Sequence, residues 1–140
     1  MQFQQAVVTP VNDASSAISD DEADALARTT MNLLKAWGLT DAEACRLLGG
    51  MSARRWERWK DGAYGGIRRD LRTRMGHLMG IHKGLRCLFK EPTRGYVWIR
   101  KPNSAFGDQS ALQVMLRGEI SDLAALRVWL DANREVWRAD

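Results

Sequence analysis

The chain has 140 residues, of which 45% are hydrophobic and 27% charged, and a formal net charge of +4; that is the balance of a folded globular chain, not of a disordered one. No run of about 18 apolar residues occurs, so no membrane-spanning helix is expected, and the opening MQFQQAVVTPVNDASSAISDD has no Lys or Arg, so no secretory leader is expected either. Two cysteines, Cys45 and Cys87, are too few for a disulfide scaffold, which makes a cytoplasmic protein with reduced thiols the expectation.

Residues 1–18 mix Gln, Val, Ser, Asn and Pro10 without a period and read as a flexible arm. Order is expected from Ser19, where Ser19-Asp20-Asp21-Glu22 forms a capping box. Ala23, Leu26, Ala27, Thr30, Leu33, Leu34 and Trp37 then mark one helical face, and Gly38 fits a left-handed stop. A second capping box, Thr40-Asp41-Ala42-Glu43, opens a short helix to about Leu48. Gly49-Gly50 breaks it, Ser52 caps a third helix from Ala53 to about Asp61, and Gly62 to Gly66 form a turn or hinge.

A long helix is expected from about Arg68 to Phe89, with Leu71, Met75, Leu78, Ile81, Leu85 and Leu88 inward. Gly76, Gly80 and Gly84 recur on another stripe of it. Each costs the helix roughly 1 kcal/mol relative to alanine, so the stripe calls for either close helix packing or a local weakness. Beyond Pro92, Gly95 to Ile99 reads as a strand or one helical turn and Arg100 to Gln109 as a loop. Ser110 caps a short helix, and Ser121 caps a last one carrying Leu123, Leu126, Leu130 and Trp137. The fold class is all-α. The organisation expected is an arm over 1–18, a helical DNA-binding and dimerisation region over 19–90 and a smaller C-terminal part over 91–140. That last part has too little core to stand alone and must pack on the long helix or on a partner.

The informative stretch is LTDAEACRLLGGMSARRWERWKDG: capped helix, glycine turn, capped helix, at about 40–61. Trp56 and Trp59 are three apart and can both face inward, which leaves Arg54, Arg55 and Arg58 outward with Lys60 near the end. Fork-shaped donors near a helix N-terminus are what major-groove reading needs. Thr40 and Ser52 open the two helices whose terminal N–H groups can meet phosphate, and Arg68, Arg69, Arg72 and Arg74 can supply backbone contacts. Charge distribution agrees: Arg46 to Lys101 carries a net +11 while the remainder carries −7, a localised field suited to a polyanion. A plain helical hairpin with a solvated basic face gives the same pattern.

Other chemistry finds less support. His77, His82 and Cys87 are spaced by fives, not at the i+3 or i+4 that one helix face would need for a metal, and no CxxC pair, phosphate loop or nucleophile–base arrangement is present. No metal, no cofactor and no catalytic activity are expected. Trp37, Trp56, Trp59 and Trp98 read most simply as core, and Trp137, between Arg134 and Arg138, as core or as an interface anchor.

These residues together resemble the MbcA/ParS/Xre class of antitoxins over about residues 30–133. WGLTDAEACRLLGGMSARRWERWKDG is similar to the family's Xre-like DNA-binding helices. WIRKPNSAFGDQSALQVMLRGEISDLAALRVWLDANR is similar to its toxin-binding domain, through Trp98, Pro102, Asn103, Phe106, Gly107, Ser110, Leu112, Met115, Gly118, Leu123, Arg127 and Leu130. The sequence departs from the family pattern at Asp108, where a second glycine is common, and near His82 and Gly84, where an aromatic and an alanine are usual; a looser long helix is expected from the latter.

The resemblance implies an Xre-like helix-turn-helix joined to a small helical toxin-binding domain. It implies a non-catalytic antitoxin that blocks the active site of an NAD-consuming RES-type or ADP-ribosylating toxin and represses its own operon, with operator DNA and the cognate toxin as partners and a homodimer as its form. The toxin-binding residues it suggests are Pro102, Asn103, Phe106 and Gly107, with Asn133, Arg134, Trp137 and Arg138 of the tail. Trp137 would enter the toxin's active-site mouth, and Arg134 and Arg138 would occupy sites meant for NAD phosphates, unless Trp137 packs back on its own chain. The acidic, apolar C-terminal part, with Asp122, Asp131, Glu135 and Asp140, suits a protein partner better than DNA. The alternative is a stand-alone helix-turn-helix repressor whose C-terminal part senses a small ligand.

Overall fold

The computed structural model describes residues 18–139, with side chains through Arg134. Residues 1–17 of the expected arm, and the side chains of Trp137 and Arg138, therefore lie outside the described residues. Among those described, the architecture is all-α apart from one two-residue β-bridge. Helix α1 spans Asp20–Ala36, α2 Asp41–Leu47, α3 Ala53–Lys60, α4 Arg69–Leu88 and α5 Pro92–Trp98. Strand β1 (Pro102–Asn103), a 3-10 turn (Ser104–Phe106) and β2 (Gln109–Ser110) follow, then α6 (Ala111–Met115) and α7 (Ile120–Ala139). No helix of the described residues is long and apolar enough to cross a membrane.

The helix starts follow the capping chemistry. Ser19 and Glu22 close a reciprocal box at α1, Thr40 and Glu43 do so at α2, and Ser110 and Gln113 at α6. Each Ser or Thr cap contributes about 1 kcal/mol. Ser52 Oγ accepts the Arg55 N–H at 3.1 Å and starts α3. Gly38, Gly49, Gly50 and Gly62 take left-handed backbone at φ 76°, 85°, 82° and 82°, which reverses the chain between these short helices without a Cβ penalty. Helix α7 begins at Ile120, so Ser121, expected as its cap, lies within its first turn. Of the run Gly95 to Ile99, Gly95 to Trp98 are helical and Ile99 is the C-cap; Pro92 sits in the first turn of α5, where its missing N–H costs nothing.

Two long helices, α4 and α7, make the most extensive packing in the molecule. Met75, Leu78 and Ile81 from α4 and Leu123, Leu126 and Leu130 from α7 are fully buried, together with Trp37, Trp59, Ile99 and Met115. One continuous core thus runs from α1 to α7, and α7 lies along α4 as the sparse apolar content of the last fifty or so residues demands.

Two glycines of the stripe, Gly80 and Gly84, are the reason these helices fit. A Cβ on Gly80 would lie 2.6 Å from Cδ of Arg127, and one on Gly84 would lie 3.0 Å from Cβ of Leu130. Residues 80 and 84 are therefore covered by α7 of the same chain and are not open to a second copy. The long helix is not loosened at Gly84, contrary to the expectation drawn from the family's alanine there; Gly84 is buried against Leu130 of α7.

Two arginines fasten the C-terminal elements to the first three helices. Arg46 Nε on α2 donates to the Leu116 carbonyl. Arg100 Nη2 donates to the Trp37 and Gly38 carbonyls at 3.1 Å each.

Candidate functional site: a basic face and an aromatic row

The first surface is the pair α2 and α3 with the start of α4. Trp56 and Trp59 are buried and anchor α3; the Trp56 indole N–H donates to Asp41 at 3.0 Å and that of Trp59 to the Tyr64 carbonyl at 3.2 Å. Fixing these two indoles turns Arg54 and Arg58 to solvent. Arg55 is half-buried. Its Nη2 donates to the Gly66 carbonyl at 2.8 Å and its guanidinium lies over the Trp59 ring, 5.8 Å from the centroid, so it is held in place instead of being free to search.

Lys60 bridges Asp41 at 2.8 Å and Glu57 at 3.2 Å. The hydrogen bond from Lys60, then that from Trp56, holds the Asp41 carboxyl below its ordinary range, and the same contact raises the Lys60 ammonium. Lys60 thus stands committed to the α2–α3 contact. Arg68 and Arg69 are exposed at the head of α4.

Arg72 faces inward. It donates to the Ile67 and Ile18 carbonyls at 2.8 and 2.9 Å and pairs with Asp20 at 3.4 Å, so it straps α1 to α4 and does not join the open basic face. Thr40 and Ser52 are spent as caps, their oxygens accepting the Glu43 and Arg55 N–H groups at 3.1 Å.

The second surface is aromatic. Phe89, Trp98, Phe106 and Trp129, from the end of α4, α5, the 3-10 turn and α7, touch in a half-buried row. Trp98 stacks on Trp129 at 6.0 Å, Phe106 meets Trp129 edge-on at 5.0 Å, and Phe89 lies 6.2 Å from Trp98. Val97, which lines the hollow beside Phe89 and Trp98, and Val128, next to Trp129 in the chain, are 54% and 66% exposed and are the large apolar side chains left most open among the described residues. A hollow of about 520 Å³ opens beside Phe106 and Trp129, and another of about 440 Å³ beside Phe89 and Trp98, the latter edged by Arg94 and Lys101. Aromatic anchors next to open hollows and singly exposed valines are the makeup of a protein-docking surface.

Of the residues expected here from sequence, Phe106 lies in the row. Pro102 and Asn103 form β1, paired with Ser110 and Gln109, and Asn103 Oδ1 accepts the Ala105 N–H at 2.9 Å. Gly107 takes φ 63° and Asp108 φ 66°. Asp108 therefore adopts the left-handed backbone that a second glycine would supply, a conformation Asp tolerates better than most residues. Asn133 Nδ2 donates to the Trp129 carbonyl at 2.8 Å, and Arg134 Nη1 lies 3.9 Å from Cys87 Sγ; both are turned along α7 and toward α4.

Trp98, expected in the core, is only half-buried, and Trp129, Val97 and Val128 were not singled out by the sequence. The signal for Trp129 was its position off the Leu123/Leu126/Leu130 stripe, which puts a large apolar group on a face the core does not use. Among the described residues no group of His, Cys, Asp or Glu gathers in a metal-binding set.

Comparison with known proteins bears on this second surface. Residues 85–135 match the antitoxin Xre/MbcA/ParS C-terminal toxin-binding domain, a segment that contains all four aromatics of the row. Over 125 residues the chain is 33% identical to the uncharacterised protein y4oB of Sinorhizobium fredii (strain NBRC 101917 / NGR234), which covers 89% of this chain and 96% of that protein. No solved structure matches it.

Proposed function

The chain belongs to the Xre/MbcA/ParS antitoxin family, and from that premise we propose that the aromatic row is where it holds its toxin and that α2 and α3 form a DNA-reading helix-turn-helix. It carries an antitoxin's toxin-binding domain, so a toxin is its partner. The observation that carries the docking assignment is the coincidence of that domain with a half-buried aromatic row and its two exposed valines.

The proposed partner is an NAD-using toxin, of the RES type or one that transfers ADP-ribose. Inhibition is steric in this reading: docking on the row lays α7 across the active-site mouth, and Asn133 to Asp140, with Arg134, Trp137 and Arg138, closes it. The chain contributes binding and exclusion of NAD, not a chemical step.

The DNA-reading half rests on Arg54 and Arg58, turned outward by the two buried indoles, and on the net +11 of the middle region. In a dimer two copies of α3 would enter successive major grooves of a paired operator. Repression of its own operon follows if that operator lies upstream of its gene.

Co-expression with the product of the neighbouring gene, capture of the complex and an NAD-consumption assay test the toxin assignment. The expected result is a stable complex without NAD loss, from which Trp129→Ala releases activity. A Trp129→Ala chain that still inhibits fully would reject the row as the docking site. Removing the residues after Leu130 tests the tail, because full inhibition by the shortened chain rejects closure of the active site by residues 133–140.

A further inference from the structure

A cleft of about 480 Å³ lies where the Gly49-Gly50 turn, the start of α3 and the first turns of α4 meet; Ser52, Arg55, Arg68, Asp70 and Arg74 line it. Three arginines and one aspartate are among its lining residues. Arg74 is the unusual member. Its Nη1 is buried with no hydrogen-bond partner, and among the described residues it stands in no ion pair. Two positions earlier, Arg72 satisfies its guanidinium three times over. Leaving a buried charged donor without an acceptor is costly, and an anion in the cleft would offset the charge of the three arginines that line it.

Gly49 makes room for the group. It sits at φ +85°, and a Cβ there would lie 2.7 Å from Arg74 Nε. The turn therefore both reverses the chain between α2 and α3 and lets the Arg74 side chain lie against it. Arg55 is already fixed by the Gly66 carbonyl and the Trp59 ring, so little rotamer freedom is lost when it joins. Helix α3 begins at the same place with its first N–H groups outside the helical ladder, Ser52 having capped the one at Arg55.

We propose that this cleft is a seat for one backbone phosphate of duplex DNA, gripped by Arg74 with Arg68 and Arg55 at the N-terminus of α3. The inference rests on the DNA-reading assignment above and adds to it the point at which the duplex is clamped. A phosphate held there fixes the height and tilt at which α3 meets the groove, while Arg54 and Arg58, on the exposed face of the same helix, meet the bases. The seat itself reads no sequence.

The test is the salt dependence of binding by the full chain to two probes, the duplex upstream of its own coding sequence and a random-sequence duplex. Arg74→Gln is compared with wild type and with Arg28→Gln, which removes the same charge from α1, outside the cleft. One phosphate contact fewer makes the slope of log K against log salt shallower by about 0.9. Arg74→Gln is expected to show that change on both probes, with binding weakened about tenfold, while Arg28→Gln keeps the wild-type slope.

A folded Arg74→Gln chain with wild-type slope and affinity overturns the seat and leaves DNA binding standing. Loss confined to the upstream duplex also overturns it, because a phosphate contact does not discriminate sequence. A wild-type chain that binds neither duplex overturns the DNA-reading assignment itself, and the seat with it. Thermal melting establishes that each variant is folded; should Arg74→Gln fail that check, the exposed Arg68→Gln in the same cleft carries the same slope test.

Discussion

The indoles of Trp98 and Trp129 lie within 18° of parallel with their centres 6.0 Å apart, although one belongs to α5 and the other to α7. The aromatic row is thus made by tertiary packing and does not exist until α7 has settled along α4. Truncating Trp129 removes an anchor at the middle of the patch. Trp129→Ala is expected to weaken toxin binding by about 2 kcal/mol or more, the scale of an aromatic hot spot. Val128→Asp, on a side chain 66% exposed, is expected to weaken binding with no change in melting temperature. Isothermal titration against purified toxin, paired with thermal melts, separates the two effects.

Glycines of one stripe are expected to respond with opposite signs. A Cβ on Gly76 meets nothing within 4 Å, so Gly76→Ala gains helix propensity and is expected to stabilise by up to about 1 kcal/mol. A Cβ on Gly84 meets Leu130 Cβ at 3.0 Å, and a branched side chain there overpacks the α4–α7 seam. Gly84→Val is expected to destabilise by about 1–3 kcal/mol. Urea unfolding of the two variants reports both signs, and a stabilised Gly84→Val would contradict the packing described.

The arginines of α3 are expected to divide by role. Arg54→Ala removes an exposed fork and is expected to cost operator binding about 1–3 kcal/mol with stability unchanged. Arg55→Ala also breaks the 2.8 Å hydrogen bond to Gly66 and the contact over Trp59, so it is expected to lower stability by about 1 kcal/mol as well. Filter binding on the upstream duplex beside thermal melts shows the difference; an Arg54→Ala chain with unchanged operator affinity argues against groove reading by α3.

Acid should weaken the fold in a defined window. Burial first, then the nearby Arg127 for His77 and Arg86 for His82, hold both imidazoles below their ordinary range. The unfolded chain then takes up protons at a higher pH than the folded one. Stability contributed by the neutral rings is whole above about pH 6.5 and falls away as pH drops through their folded-state values. The depressed carboxyls of Glu22 and Asp41 lose theirs only at lower pH, below about 4. Urea midpoints at about pH 7.5 and about pH 5.5 are expected to differ for the wild type, and less for His77→Gln/His82→Gln. Equal dependence in both proteins would assign the effect elsewhere.

The left-handed Asp108 offers a simple backbone test. Asp108→Gly is expected to be neutral or slightly stabilising, whereas Asp108→Val, β-branched at φ 66°, is expected to cost about 1–2 kcal/mol. Melting temperatures of the pair check it.

Much of this was written in local chemistry. The capping boxes at Ser19 and Thr40, the stops at Gly38 and Gly62 and the inward indoles of Trp56 and Trp59 depend on residues within a turn or two of each other, so a sequence displays them. The aromatic row was not legible, because Trp98 and Trp129 follow different periodicities and meet only where α5 comes against α7. The inward turn of Arg72 was hidden for the same reason: its acceptors include Ile18, far back in the chain. Arg68, Arg69, Arg72 and Arg74 look alike as a string, and only the packing of α1 and the Gly49 turn tells them apart.

The close seam at Gly80 and Gly84 has an evolutionary consequence. Recombination between relatives that breaks the gene near Phe89 would set an unfamiliar last helix against a track shaped for Arg127 and Leu130. With the row as the proposed docking site, new partner specificity is more readily acquired by point changes on the outer side of α7, around Val128 and Trp129, than by importing a whole rear half.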